Sequence, residues 1–343
     1  MGKKDAIVLY GELMQRLSPA NMLKIVQADN YEIRFTGAEA NVGVCCVNFG
    51  MDAYVVSMVP EHDVGQACLN YLRRYGLDTT YVARGGERLG ILYTETGHSQ
   101  RPSKVIYDRK YSAFNQISKG LFNWGEILQD KKWLHFCGTA VAQDEGPAQE
   151  LLRGLKMAKE AGVVVSCDYN YRKKLWGERS AKEIMEEFMQ YVDVGIGNEE
   201  DCEAMFGIHA EGTDFERGLV DGNSYSIVAE KMVKKYNLKL QAITLRESIS
   251  ANRNGWSAVL HDGNKCYHST KYMIDILDRI GGGDSFSGSL IYSIISGENY
   301  QKALDFAVAS SCLKQTIAGD FNLASKDDVL HLVNNNSGGR VQR

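Results

Sequence analysis

Residues 278–293 read Asp-Arg-Ile-Gly-Gly-Gly-Asp-Ser-Phe-Ser-Gly-Ser-Leu-Ile-Tyr-Ser, with three successive glycines before a helical pattern that begins near Asp284. Unpaired backbone N–H groups at the start of a helix attract anions, and glycines remove the Cβ atoms that would block phosphate oxygens. The stretch therefore predicts a phosphate-binding helix start. Asp284 is then either an ordinary N-cap or the acceptor of a proton from an attacking hydroxyl. A purely structural turn at the glycines is the alternative interpretation.

Two better-known nucleotide-binding motifs do not fit this stretch. No Gly-Lys-Ser or Gly-Lys-Thr follows the glycines, so the stretch is not a P-loop. It also lies near the C-terminal end rather than after the first strand, where the glycine fingerprint of a dinucleotide-binding domain belongs. The pattern therefore argues against an NAD-dependent dehydrogenase.

Upstream of the glycines, short apolar runs alternate with longer helical patterns. The candidate strands are Ala6–Tyr10, Ala53–Met58, Trp133–Cys137, Val163–Cys167, Val192–Ile196 and Gln241–Leu245. The candidate helices are Ala38–Phe49, Gly65–Tyr75, Pro147–Ala161, Ala181–Tyr191 and Ser224–Tyr236. This alternation predicts right-handed βαβ units and a three-layer α/β/α fold with a mainly parallel central sheet. A hairpin is predicted at Trp256–His261 and Lys265–Ser269, and a mostly helical segment follows it.

Residues 12–36 and 84–112 depart from this succession of apolar strands and helices. They are polar, with partly alternating polar and apolar residues, and are rich in Tyr, Arg and Thr. They are typical of half-exposed antiparallel strands, which predicts a discontinuous β lid inserted in the main domain. No Ser/Gly-rich linker divides the chain, so we expect one α/β domain over residues 1–335. The Asn/Ser/Gly-rich tail, residues 336–343, is predicted to be frayed.

The composition excludes several classes of protein. The 343 residues are 44% hydrophobic and carry 39 basic against 43 acidic side chains, which argues against a nucleic-acid-binding protein that works by overall charge. The eight cysteines show no Cys-x-x-Cys spacing, which favours buried thiols over zinc ligands or disulfides. Neither a membrane-spanning apolar run nor a signal-peptide pattern occurs, so we expect a cytoplasmic protein.

Two motifs together resemble the signatures of the ribokinase (PfkB) family of carbohydrate kinases. The second signature corresponds to residues 278–288, Asp-x-x-Gly-Gly-Gly-Asp-Ser-Phe-Ser-Gly, and the first to Thr36-Gly-Ala-Glu-Ala-Asn41. A Gly-Glu pair at residues 11–12, after the first strand, also fits the family's order. The resemblance covers essentially the whole chain. It implies a ribokinase-like fold and ATP-dependent, Mg²⁺-assisted phosphorylation of a small sugar or sugar acid.

Three narrower features are similar to the branch of that family that phosphorylates 2-keto-3-deoxygluconate. They are the segment Asp-x-Asn-x-Arg-x-x-Leu-Trp at residues 168–176, the pair Tyr107-x-Arg109, and the opening segment at residues 11–19. A substrate carboxylate needs a guanidinium fork, which Arg172 and Arg109 could supply. Read without the resemblance, Arg172 is typical of a surface ion pair and Arg109 of a solvated strand face.

The resemblance assigns roles to individual positions. Gly281, Gly282 and Gly283 would form an anion hole for the phosphoryl group, and Asp284 would be the catalytic base. The sugar acid would be bound by Gly37, Asn41, Tyr93, Tyr107, Arg109, Arg172, Asp284 and Asp320. The expected product is 2-keto-3-deoxy-6-phosphogluconate.

The nucleotide side departs from the family pattern. Residues 198–201, Asn-Glu-Glu-Asp, resemble the family's Asn-x-x-Glu element near magnesium and phosphates, but Asp201 is one methylene shorter and would reach the metal through water. The predicted loop at residues 245–250 lacks the usual glycines. Nucleotide contacts are expected from Asn198, Thr244 and Arg246, with Arg246 as a phosphate ligand. Arg279 and Thr36 also replace smaller residues of the two signatures.

Several alternatives stay open at the level of sequence. A kinase of the same fold could act on a neutral ketose such as fructose or on another sugar acid, including the galactonate epimer. A catalytically silent sugar-binding regulator would keep the same fold. The requirement for a monovalent cation is not determined. A homodimer through the lid is expected, because exposed strand edges pair readily with a second copy.

Overall fold

The computed structural model of the chain describes residues 4–198, 200–209 and 222–335. The predicted tail at residues 336–343 therefore lies outside the described residues. In chain order the strands are β1 Lys4–Tyr10, β2 Met14–Pro19, β3 Tyr31–Thr36, β4 Asp52–Val59, β5 Val82–Arg84, β6 Gly90–Glu95, β7 Lys104–Asp108, β8 Lys131–Cys137, β9 Val164–Asp168, β10 Val194–Asn198, β11 Leu240–Ser250, β12 Arg253–His261, β13 Cys266–His268 and β14 Tyr272–Asp275. The helices are α1 Ala38–Asn48, α2 Asp63–Arg74, α3 Trp124–Ile127, α4 Gly138–Ala142, α5 Glu145–Glu160, α6 Lys173–Trp176, α7 Ala181–Met189, α8 Asp201–Phe206, α9 Gly222–Tyr236, α10 Gly282–Ile295, α11 Tyr300–Lys314 and α12 Lys326–Asn335.

The central sheet has the strand order β13-β12-β11-β10-β9-β8-β1-β4-β5, and β14 pairs with β12. Every pair from β11 to β5 along this order is parallel, and the strands β12, β13 and β14 add antiparallel pairs at one edge. The mainly parallel sheet predicted from the sequence is therefore confirmed. The predicted hairpin is also present, as β12 and β13.

Alternate residues of each central strand are buried in two different cores. In β1, Ile7 and Leu9 pack with α1, α10 and α11 on one face, while Val8 and Tyr10 pack with α5 and α7 on the other. All four side chains are fully buried. Both faces of the parallel sheet are covered by helices, so its strands are continuous apolar runs. Such runs are easy to recognise, and the strands were therefore predicted well from the sequence.

The prediction of a loop at residues 245–250 was wrong. Strand β11 continues to Ser250 and pairs with β12, with Leu245 opposite Ser257 and Ser248 opposite Asn254. The short connection at residues 251–252 is long enough for a tight hairpin, so the polar residues after Leu245 form the exposed end of a strand. Residues 245–250 form a strand, so the glycines that a loop would need are not required here.

The two insertions form a second sheet with the order β3-β2-β6-β7, which we call the lid sheet. Its outer pairs are antiparallel as expected, but the central pair, β2 with β6, is parallel. The lid sheet is therefore mixed rather than antiparallel. Within the described part of the chain, no helix has the length and apolar character needed to cross a membrane.

Candidate active site

A cavity of about 300 Å³ lies between the lid sheet and the carboxyl ends of the central strands β9, β10 and β11. This is the edge of an open α/β sheet where ligands usually bind. Thirteen of the fifteen residues predicted for the site line this one cavity. They are Gly37, Asn41, Tyr107, Arg109, Arg172, Asn198, Asp201, Thr244, Arg246, Gly281, Gly282, Gly283 and Asp284.

The start of α10 forms one wall of the cavity. Gly281 is the N-cap and has φ +80°, and a Cβ atom there would lie 1.9 Å from the carbonyl oxygen of Asp320. Only glycine fits such a position. Gly282 donates its N–H to the carbonyl of Arg279, whereas among the described residues the N–H groups of Gly283 and Asp284 donate to no backbone carbonyl outside α10. The first residues of a helix also lack an acceptor within it. Two open amides and the helix dipole therefore face the cavity together.

Asp284 lies in the first turn of α10, beside these amides. Its Oδ2 accepts a hydrogen bond of 2.7 Å from Nδ2 of Asn41, whose Oδ1 in turn accepts from the hydroxyl of Thr36. Thr36 thus orients Asn41, which explains a hydroxyl residue where the family signature has a glycine. Burial raises the pKa of Asp284 to about 6, although the hydrogen bond from Asn41 and the charge of Arg172 favour the anion. A carboxylate with this pKa is suited to accept a proton near neutral pH.

The two predicted arginines have different surroundings. Arg109 donates through Nε to Glu12, 2.8 Å away, and also pairs with it through Nη2, while Ser112 donates 2.6 Å to the other Glu12 oxygen. Arg172 is exposed to the cavity and donates to the carbonyl of Tyr171. In the described parts of the chain, no carboxylate forms an ion pair with Arg172. Arg172 is therefore better placed than Arg109 to bind a carboxylate ligand.

Tyr93 does not line the cavity, and the prediction for it was wrong. Residues alternate between the two faces of β6, so Leu92 faces the cavity and Tyr93 the outer side, where its ring lies 6.0 Å from that of Tyr31. Nothing in the sequence fixes which of two neighbouring strand residues points inward.

Asp320 does not line the cavity either. Its carboxylate is buried in an ion pair with Arg16, and its carbonyl oxygen packs against Gly281. Asp320 thus supports the glycine segment from behind.

Sequence reasoning missed Glu39 as a cavity residue. Its Oε1 accepts the N–H of Cys137 at 2.9 Å, and its carboxyl packs directly against Gly11, where a Cβ atom would lie 1.9 Å from Oε2. Burial, with a further contribution from Asp284, raises the pKa of Glu39 to about 7. The paired signals were Gly11 and the Glu of the first signature, since the glycine is needed to leave space for the acid.

Arg279 and Asp168 also belong to the cavity. Arg279 hydrogen-bonds through Nη2 to the carbonyl of Ala251, and burial together with the charge of Arg246 lowers its pKa. The guanidinium groups of Arg246 and Arg279 therefore line the same part of the cavity, beside the glycines. Asp168 ends β9 and accepts from the hydroxyl of Ser287, and burial followed by the charges of Asp201 and Asp284 raises its pKa.

The hydrogen bonds of Asp201 leave its carboxylate able to contact magnesium through water. Its two oxygens accept the N–H groups of Tyr171 and Asn198 at 3.0 and 2.9 Å. Each oxygen keeps a further lone pair, and the residue lines the cavity. No cluster of three or more metal-ligating side chains occurs in the described residues. Mg²⁺ usually takes one or two carboxylates together with phosphates and water, so the residues fit a water-mediated contact.

Comparison with known proteins places these observations in a family. The model of the pfkB family carbohydrate kinases matches residues 4–322. A crystal structure of 2-dehydro-3-deoxygluconokinase from Thermotoga maritima shares 44% identity and a TM-score of 0.92, covering 96% of this chain and 99% of that one. The 2-dehydro-3-deoxygalactonokinase of Haloferax volcanii is 28% identical over 97% of this chain and 98% of its own length. A 5-dehydro-2-deoxygluconokinase of Clostridium perfringens is 26% identical over 91% and 87%.

Proposed function

The chain belongs to the pfkB family of carbohydrate kinases, and we propose that it transfers the γ-phosphoryl group of ATP to the terminal hydroxyl of 2-keto-3-deoxygluconate. The product would be 2-keto-3-deoxy-6-phosphogluconate. The observation that carries the proposal is one cavity that holds Asp284, two open amides of α10 and the Arg172 guanidinium. The 44% identity to the Thermotoga enzyme, whose name states this substrate, supports the same choice.

The nucleotide binds on the side of the cavity formed by β10, β11 and the glycine segment. Arg246 and Arg279 meet the polyphosphate, while Asn198 and Thr244 contact the nucleotide from the ends of their strands. Asp201 would hold Mg²⁺ through water, and the ion would offset charge on the phosphates. The open amides of Gly283 and Asp284 stabilise the charge that develops on the transferred group.

The sugar acid binds beneath the lid sheet. Arg172 takes the carboxylate in a bidentate pair, and Asn41 and Tyr107 fix hydroxyl groups. Arg109 keeps its ion pair with Glu12, so its part is to hold Tyr107, whose ring lies 5.3 Å from the guanidinium. Gly37 lets its backbone pack against that of Glu12, because a Cβ atom there would lie 2.4 Å from the carbonyl oxygen of Glu12.

Asp284 accepts the proton of the terminal hydroxyl as its oxygen bonds to the γ-phosphorus. The bond from that phosphorus to the bridging oxygen of ADP breaks, and the proton leaves from Asp284 to solvent after the product departs. The lid sheet excludes water, which would otherwise compete as the acceptor.

The variant Gly283→Ala tests the anion hole without disturbing the fold. A Cβ atom at Gly283 meets no atom within 4 Å, and the residue is exposed to the cavity, so alanine fits and gains up to about 1 kcal/mol of helix stability. The methyl group, however, occupies space needed by phosphate oxygens. We expect kcat/KM for ATP to fall by roughly tenfold or more, with a melting temperature that is unchanged or higher. Gly125→Ala, in α3 and away from the cavity, is the matched control. Full activity of Gly283→Ala would contradict the anion hole.

The lid sheet also supports a dimer. Ile33, Leu17, Tyr93 and Ile106 lie side by side on its outer face, and Ile33 and Ile106 are 55% and 40% exposed. We infer that a second copy covers this apolar row. Ile33→Lys should then shift the sedimentation coefficient from dimer to monomer, while Ile227→Lys, at an equally exposed site in α9, should not. A wild-type protein that sediments as a monomer at micromolar concentration would remove this inference.

The choice of acceptor is tested by a panel with coupled ADP detection. The panel contains 2-keto-3-deoxygluconate, its galactonate epimer, gluconate, fructose and ribose. We expect the highest kcat/KM for a keto-deoxy acid, because Arg172 can pair with the carboxylate of such a substrate. A preference for fructose would favour a ketose kinase, and the lack of any substrate-dependent ADP would favour a silent sugar-binding protein.

A further inference from the structure

Lys314, near the end of α11, is fully buried behind the glycine segment. Its ammonium donates a hydrogen bond of 3.0 Å to the backbone carbonyl of Asp278, the first residue of the second signature. Lysine is almost never fully buried, because removing its charge from water is costly unless anions or carbonyl dipoles surround it. A buried ammonium at this place therefore needs an explanation.

The groups around Lys314 form a charge cluster. Arg16 of β2 pairs with both Asp278 and Asp320, and Asp284 lies on the cavity side. Among the described residues, Asp278 and Asp320 form ion pairs with Arg16 alone, whereas Asp284 is also stabilised by the charge of Arg172. Burial lowers the pKa of Lys314 to about 8, while Asp278, Asp320 and Asp284 oppose that shift, so the side chain is charged at neutral pH. Lys314 therefore brings the second positive charge to the cluster.

One turn of α11 also fixes the position of the glycine segment. The Ser311 hydroxyl donates 2.6 Å to the carbonyl of Gly282, and the carbonyl of Gln315 accepts the N–H groups of Leu277 and Asp278. Lys314 takes the Asp278 carbonyl in the same turn. A carbonyl oxygen close to carboxylates is the kind of oxygen environment in which a bare monovalent cation could bind. In this protein the ammonium of Lys314 occupies that environment in place of a free cation.

We propose that Lys314 is a positioning residue of phosphoryl transfer. Its ammonium holds the glycine segment through the Asp278 carbonyl, supplies positive charge behind Asp284 and the transferred phosphoryl group, and makes an added monovalent cation unnecessary. The inference rests on the proposed kinase function. It predicts two properties that a merely structural lysine would not have, namely an effect on the ionisation of Asp284 and independence from K⁺.

The charges that face Asp284 come from several elements. Glu39 on α1, Asp168 at the end of β9 and Asp320 after α11 are acidic, whereas Arg172 before α6 and Lys314 on α11 are basic. The Lys314 charge favours the anionic form of Asp284, so a neutral residue at 314 raises the pKa of Asp284. The acid limb of the pH profile must then move to higher pH.

The first test compares Lys314→Met with Lys302→Met, an exposed lysine on the same helix. For Lys314→Met we expect kcat/KM at pH 7 to fall roughly tenfold or more, with the acid limb moved upward by about half a unit or more. Methylammonium should restore part of the activity of Lys314→Ala by occupying the vacated space. Lys302→Met should match the wild type. An acid limb that stays in place, or activity that stays at the wild-type level, would overturn the proposal.

The second test needs no variant, and it decides the question if Lys314→Met fails to fold. Wild-type activity is measured with K⁺, Na⁺ or tetramethylammonium as the monovalent ion. We expect equal rates within about twofold, and a K⁺ requirement would refute the built-in cation. A wild type that turns over no sugar acid in any of these salts would instead count against the proposed function.

Discussion

Asp284→Asn is expected to lower kcat for the sugar acid by about 10³-fold or more, while the Kd for ATP changes by less than about threefold. The amide keeps the size of the side chain and can still contact Asn41, but it cannot accept the hydroxyl proton. In the proposed binding mode the phosphates contact the amides of α10 and the arginines rather than this carboxylate, so we expect nucleotide binding to be retained. Steady-state kinetics with ADP detection and titration calorimetry with ATP measure the two quantities.

Asp275→Asn is the matched control, because Asp275 is an exposed carboxylate at the end of β14 with only a distant ion-pair partner, 3.8 Å away. It should behave as the wild type in both measurements. A loss of less than about tenfold in Asp284→Asn would be too small for removal of a general base. The role of Asp284 would then be structural, through its hydrogen bond from Asn41.

The same carboxylate sets the expected pH dependence of the wild type. Burial raises its pKa to about 6, and in the proposed mechanism the deprotonated form accepts the hydroxyl proton. Activity should therefore rise with pH through about 6 and level off above it. The kcat/KM profile measured with 2-keto-3-deoxygluconate reports this pKa in the free enzyme. A profile that is flat across this range would show that another group takes the proton.

Arg172→Ala is expected to raise KM for 2-keto-3-deoxygluconate by about a hundredfold, because it removes a charge-assisted bidentate pair worth about 3 kcal/mol. In the proposed binding mode the reacting end of the substrate lies at Asp284, so kcat should change by only a few-fold. Any neutral sugar that is turned over should keep its KM. The comparison of the two substrates in one variant is the informative measurement.

Arg179→Ala provides the control for this change. Arg179 is exposed, lies in the same segment and rests on the ring of Trp176, without lining the cavity. It should leave both KM values unaltered. If Arg172→Ala weakened the acid and the neutral sugar equally, Arg172 would be shaping the cavity rather than binding a carboxylate.

The parts of the fold that follow from local sequence were predicted well. Strands buried on both faces are continuous apolar runs, and the start of α10 is visible as glycines before a helical pattern. These signals lie within a few residues of each other, so no long-range information is needed to read them. Thirteen predicted residues line one cavity, which brings together the lid sheet, the starts of α1 and α10 and the ends of the central strands.

The errors depend on long-range contacts. Tyr93 was expected in the cavity but lies on the outer face, because the register of a lid strand with its neighbours decides which of its residues point inward. The pairing of Arg109 with Glu12, far away in the sequence, was also not predicted, although Arg109 lines the cavity as expected. Asp320 was expected to bind the sugar acid, and only the packed structure shows it buried in an ion pair with Arg16. The burial of Lys314 is likewise visible only in the packed structure.

The most direct test of the account follows the γ-phosphoryl group itself. The protein is incubated with ATP and 2-keto-3-deoxygluconate, and ³¹P NMR identifies the phosphorus-containing products alongside ADP. We predict a phosphate ester at the terminal oxygen of the sugar acid, formed in equal amount to ADP and strongly reduced in Asp284→Asn. Free phosphate in place of the ester, or no conversion of ATP at all, would contradict phosphoryl transfer to a sugar acid in this cavity.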